Sequence, residues 1–155
     1  MLKTIAQVTE TIHVSKKPNA VFNYFSNHEN DPLWRKGVIS MAHTPRGPSH
    51  KGMHTREEFV LWGRKRLIMA IITQFEVGHM ITFKTVNGGL EATGERKVVS
   101  KPGGSSISYQ VGAKLTGLSA LLVPLIKFSF RLRLRSDLLR LKQRLEAPQG
   151  AFPRI

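Results

Sequence analysis

Ser119-Ala-Leu-Leu-Val-Pro-Leu-Ile-Lys-Phe-Ser-Phe-Arg-Leu-Arg-Leu-Arg-Ser-Asp-Leu-Leu-Arg-Leu-Lys-Gln-Arg-Leu-Glu146 is the stretch whose reading decides the fold. Leu121, Leu125, Phe128, Leu132 and Leu139 fall three, four or seven apart, the spacing of an apolar stripe along an α-helix. Ile126, Phe130, Leu134, Leu138, Leu141 and Leu145 make a second stripe beside it. Two stripes are too wide for a lone surface helix, so something must cover them. Residues 128–135 also alternate as a strand would. Helix is preferred because Leu, Arg, Lys, Gln and Glu dominate and the segment is too long for one ordinary strand.

Upstream, the chain reads as short strands able to supply that cover. Val8, Ile12 and Val14 share one register of a first strand, with Glu10 the exception that needs an edge or a partner. Ser15-Lys-Lys-Pro18 breaks it, with Ser15 placed to cap a helix and Pro18 suited to its first turn. Residues 20–25 form a short apolar helix, and Pro32-Leu-Trp-Arg35 a second helical turn. Strands are expected at 37–43, 53–62, 65–77, 80–86, 90–100 and 106–115, with turns at Gly63, Gly78, 87–89 and 102–105. Gly94 inside a strand predicts a bulge or bend. Antiparallel hairpins cannot bury both faces alone. The expectation is an α+β fold: a curved antiparallel sheet of six to seven strands around the long C-terminal helix, with two short helices after the first strand. Residues 1–147 make one domain and 148–155 a loose tail.

The 155 residues carry 24 Lys and Arg against 10 Asp and Glu, a formal charge of +14. Such a surface attracts anionic lipid headgroups, nucleic acid or acidic partners, or serves solubility alone. Cysteine is absent, which excludes disulfides, thiolate metal sites and a Cys nucleophile. The start of the chain lacks the apolar run of a signal peptide, and 118–126 is too short to span a bilayer. A cytoplasmic location, peripheral to the membrane at most, is the resulting expectation.

Val14-Ser-Lys-Lys-Pro-Asn-Ala-Val-Phe-Asn-Tyr-Phe-Ser-Asn27, Pro32-Leu-Trp34, Lys51-Gly-Met53, the Gly63 turn between two long strands, Gly94, the Gly103-Gly104 hairpin and 138–146 together resemble a known pattern. It is that of the polyketide cyclase/dehydrase-like members of the START and Bet v 1 (SRPBCC) superfamily, with a helix-grip fold. The resemblance covers about residues 8–146. It implies a cavity between sheet and helix for a small hydrophobic molecule: a lipid, isoprenoid, sterol or polyketide. It carries no catalytic signature, so it speaks to fold more than to function.

The expected cavity lining is Phe22, Trp34, Met53, Glu57, Phe59, Leu61, Met69, Ile71, Phe83, Arg96, Tyr109 and Val111, with Leu121, Leu125 and Phe128 from the helix. Glu57 lies on the apolar register of its strand, and a buried carboxylate needs a partner or a raised pKa. Arg96 is the expected partner if Gly94, Arg96 and Val98 face inward. A structural pair, or a solvated Glu57 at the rim, is preferred over a ligand-orienting pair or a Glu57 base. Tyr24, Tyr109 and Trp34 could offer polar tips but read first as core aromatics. His43, His50 and His54 lack a zinc spacing and read as solvated loop residues. No nucleophile elbow, P-loop or dinucleotide fingerprint occurs. Neither metal nor cofactor is expected. The basic run from Lys127 to Arg144 reads as the solvated side of the helix, and second as a contact for anionic membrane.

Three functions remain in order. The first is a non-enzymatic carrier of a hydrophobic ligand, as a monomer or weak dimer. The second is a cyclase or aromatase in which Glu57 and Tyr109 move protons. The third is a polyanion-binding accessory protein, although no RNA-binding signature supports it.

Overall fold

The computed structural model describes residues 4–61, 63–87, 91–115 and 121–148. The expected tail falls outside them apart from Pro148, as do Trp62 and the two glycines of the predicted 87–89 turn. In order come β1 (Thr4–Val14), α1 (Pro18–Ser26), a 3-10 helix (His28–Leu33), β2 (Val38–Thr44), β3 (His54–Leu61), β4 (Arg64–Glu76), β5 (Met80–Thr85), β6 (Ala92–Lys101), β7 (Gly104–Leu115) and α2 (Val123–Glu146). The strands form one antiparallel sheet in the order β1-β7-β6-β5-β4-β3-β2. This is the α+β helix-grip fold.

Pro18 opens α1, where its missing N–H costs nothing, but Lys17 rather than Ser15 occupies the cap. Ser15 instead donates its backbone N–H to Glu146 at the far end of α2, at 2.7 Å. The 3-10 helix is capped by Asn27, whose side chain accepts from the Glu29 amide.

α2 bridges the β1 edge of the sheet and the segment that leads from the 3-10 helix into β2. On the β1 side, Arg131 and Arg135 share Glu10 at 3.4 and 3.5 Å, and Lys142 donates to the His13 carbonyl. Glu10 thus has both an edge position and partners. On the other side, Arg133 donates to the Lys36 carbonyl at 2.6 Å, Arg140 to that of Trp34 and Arg144 to that of Leu33. Asp137 accepts from the Lys36 amide at 3.0 Å. Much of the basic run is therefore a clasp. It gives donors to a carbonyl of the β1 edge and to carbonyls of the segment between the 3-10 helix and β2.

The second apolar stripe faces inward. Leu134, Leu138 and Leu141 are buried with Val8, Val14, Val21, Phe22, Phe25, Trp34 and Ile107. The first stripe does not. Leu121, Leu125 and Phe128, expected in the cavity, are 87%, 64% and 59% exposed. Both stripes have valid helical spacing, and the clasp decides between them. Arg131 and Arg135 must reach Glu10 on the β1 edge and Arg133 the turn before β2, which leaves the Phe130–Leu134 side facing in.

β4 also corrects an expectation. Its pairing with β5 shifts between Ile72 and Gln74, inserting Thr73 as an extra residue. Ile68, Ala70 and Ile72 face inward before the shift and Phe75 after it. Met69 and Ile71, placed inside by carrying one alternation along the whole strand, lie on the opposite face. Gly94 is not a bulge. It pairs regularly with Phe83 and Val111, and a Cβ there would run into the Phe83 ring. Its bareness lets that ring pack against β6.

Candidate functional site

Between the sheet and α2 lies a cavity of about 200 Å³, open on one side. Its walls are mostly apolar: Val8, Met41, Phe59, Leu61, Ile68, Ala70, Phe83, Val111, Phe130 and Leu134. Phe130 and Thr93 are its exposed lining residues, which puts the mouth beside the N-terminal half of α2. The deep end is polar, with His28, Arg35, Glu57, Arg96, Tyr109 and Asp137.

Of the residues expected to line the cavity, Glu57, Phe59, Leu61, Phe83, Arg96, Tyr109 and Val111 do so. Phe22, Trp34 and Met53 are buried in the packed core behind it, because α1 and the 3-10 helix fill the closed end of the grip. Met69, Ile71, Leu121, Leu125 and Phe128 are not among the lining residues, for the reasons of register and helix rotation already given. Helix residues Phe130, Arg133, Leu134 and Asp137 take their place.

Gly94, Arg96 and Val98 are inward, yet Arg96 does not pair with Glu57. Its Nη1 donates to Asp31 Oδ1 at 2.9 Å and its Nη2 to Asp31 Oδ2 at 2.5 Å. Nη1 also donates to the Phe25 carbonyl. The rings of Phe25, Trp34, Phe83 and Tyr109 surround the guanidinium, with centroids 5.0–5.6 Å away. Glu57 is held in a fork by Arg35 at 2.8 and 3.1 Å, and Arg35 also reaches Asp31 at 2.9 Å. The result is a chain of alternating charge: Arg96, Asp31, Arg35, Glu57. Asp137 has Arg140 at 2.8 Å. Asp31 and Arg35 fall four apart in sequence, but that spacing does not say which strand residues they meet. No local spacing reveals His28 or Asp137 as cavity residues.

The surroundings move several protonation equilibria. Burial alone would raise the Asp31 carboxyl, but Arg96 and Arg35 outweigh it and hold the pKa below the ordinary value. Burial, then Arg96, pushes His28 well below an ordinary imidazole, so it is neutral. Both its ring nitrogens are buried without a partner. Burial raises the Asp137 carboxyl against the Lys36 amide and nearby arginines. Burial opposes the charge on Arg35 and Arg96, but Glu57 and Asp31 respectively lead the forces that raise both. Glu57 is therefore a tethered carboxylate, a poor candidate for a base. The Tyr109 hydroxyl finds no hydrogen-bond partner among the described residues. His43 is buried rather than solvated, its Nδ1 3.0 Å from the Gly47 carbonyl oxygen. Among the described residues no three His, Asp or Glu side chains gather as a metal site would need.

The sequence matches a family model described as "Polyketide cyclase / dehydrase and lipid transport" over residues 6–146. The chain belongs to this family. Solved structures agree on the fold. TTHA0849 from Thermus thermophilus superposes with a TM-score of 0.75 at 15% identity, over 90% of this chain and 96% of its own. A START superfamily protein from Mycobacterium smegmatis gives 0.72 at 14%, over 90% and 97%. The di-domain ARO/CYC BexL from the BE-7585A biosynthetic pathway gives 0.74 at 17%, over 93% of this chain. The chain spans about half of BexL, 51% of its length. At these identities the likeness speaks for architecture alone. A comparison with curated proteins gives no match. None of the described helices is long and apolar enough to cross a membrane.

Proposed function

We propose that the protein binds a neutral, largely apolar molecule bearing a hydroxyl or keto oxygen, and releases it unchanged. The carrying observation is the charge balance of the deep end. Arg96 and Arg35 are matched by Asp31 and Glu57, and Arg140 by Asp137. At that end a carboxylate or phosphate would meet guanidiniums already engaged by acids and would lose its hydration; Arg133, which also lines the cavity, pairs with no acid among the described residues and donates to the Lys36 carbonyl instead. An uncharged oxygen would meet the Tyr109 hydroxyl, which has no hydrogen-bond partner among the described residues, while the apolar walls take the rest. Pockets for small ligands commonly run to about 300–1,000 Å³. At about 200 Å³ this one suits a compact ligand, or one whose far end leaves past Phe130.

Competition against a bound neutral fluorophore tests the reading. A long-chain alcohol should displace it at concentrations at least tenfold below those of the matched fatty acid at pH 8. Equal or better displacement by the acid would refute the charge argument.

The family's cyclase chemistry is the second reading, favoured by one observation: Asp137, a carboxyl with a raised pKa, lines the same cavity as Tyr109. In that case Asp137 and Tyr109 would be the proton donors, since Arg35 ties up Glu57. Turnover of a poly-β-keto thioester, lost in Asp137→Asn, would favour it over carriage.

A further inference from the structure

α2 has an apolar stripe on the side away from the sheet. Leu125, Phe128, Leu132 and Leu139 are 64%, 59%, 53% and 45% exposed, and Leu121 just ahead of the helix is 87% exposed. From Leu125 to Leu139 the stripe runs about 20 Å. A contiguous apolar strip of this kind marks an interaction surface.

The charges beside it indicate what covers it. Residues 121–136 hold Lys127, Arg131, Arg133 and Arg135 and no acid. Arg131 and Arg135 share the single carboxylate of Glu10. The start of β4 adds exposed Arg64, Lys65 and Arg66. Leu61 and Ile68, on either side of these residues in the β3–β4 pair, line the same cavity as Phe130 and Arg133, so the start of β4 and the helix stand at the same open end. Glu91, close to the mouth in sequence, is engaged by Lys114. A second copy seated on the stripe would bring two chains of +14 together, arginines against arginines. A nucleic acid would use the charge but have no use for the Leu and Phe side chains. A bilayer with anionic headgroups uses both.

We infer that the outer face of α2, with the basic start of β4, docks on an anionic membrane, seating Leu125, Phe128 and Leu132 among the acyl chains. The cavity mouth at Phe130 then opens beside the bilayer, so a ligand could pass without crossing water. The docking itself does not depend on what the cavity holds.

Vesicles of equal parts phosphatidylglycerol and phosphatidylcholine, compared with phosphatidylcholine alone, provide the test. The full chain should co-sediment with the anionic vesicles and weaken as salt rises. Leu125→Ser with Phe128→Ser should lower the partition coefficient at least tenfold, with an unchanged urea midpoint because both sites are exposed. In a separate variant, Phe128→Trp should be quenched by brominated acyl chains. Vesicle binding unaffected by the double substitution would overturn the inference, as would an unquenched Trp at 128. A dimer in solution that the double substitution dissociates would overturn it too, assigning the stripe to a second copy. So would vesicle indifference alongside salt-steep binding to an RNA homopolymer.

Discussion

Asp31 holds the deep end of the cavity together: it accepts from Arg96 on one side and Arg35 on the other, and its side chain is fully buried. Breaking a buried pair from one side leaves an uncompensated charge, at a cost of about 3–5 kcal/mol. Asp31→Asn should therefore lower unfolding stability by that order in urea titrations, whereas Asp31→Leu with Arg96→Met should recover much of the loss. His28 acts on stability through pH. Its folded pKa lies well below its ordinary 6.5, so between the two values the unfolded chain binds a proton that the folded chain refuses. Stability then rises with pH across that window and falls on acidification from 6.5, by at most about 1.4 kcal/mol per pH unit. Asp31 has the opposite charge type but a lowered pKa, so its contribution is present above 3.8 and is lost only as pH falls through the lower folded value. His28→Phe should flatten the upper window alone, as read by urea midpoints at pH 7.5 and 5. The inward phase of Arg96 and Glu57 was legible because strands alternate. Their partners were not, because Asp31 and Arg35 arrive from a 3-10 turn far away in sequence, and alternation carries no information about that.

At the level of elements, α2 shows where pattern stops. Both stripes were readable, and a 24-residue helix follows from them. Which stripe meets the sheet depends on where Glu10 and the carbonyls of Leu33, Trp34 and Lys36 sit, and these are tertiary facts. The consequence is measurable. Leu141→Ala, at a fully buried site, should cost about 2–5 kcal/mol. Leu132→Ala, on the outer stripe, should stay within about 0.5 kcal/mol. Comparable losses at both sites would mean that the outer stripe is covered. β4 teaches the same lesson for strands. A single extra residue at Thr73 reverses the phase, so Ile68 and Ala70 line the cavity where Met69 and Ile71 were expected. Gly94 was recognised as special for the wrong reason. Its need is the Phe83 ring, so Gly94→Ala should push that ring into the cavity and lower ligand affinity while β6 stays paired.

For the whole molecule, the order of strands and helices was legible from turn residues and periodicity, and so was a helix closing a curled sheet. Whether the space between them is filled was not, since a void and a core use the same residue types. That space is the claim on which the functional reading depends. Ala70, small and buried on the inward face of β4, lines it. Fluorescence titration of N-phenyl-1-naphthylamine, a neutral apolar probe, into the wild type and Ala70→Phe tests it most directly. Saturable binding that weakens at least tenfold in Ala70→Phe, with thermal stability kept or raised, is the predicted result. An equal affinity in both proteins, or no saturable binding to the wild type, would contradict it.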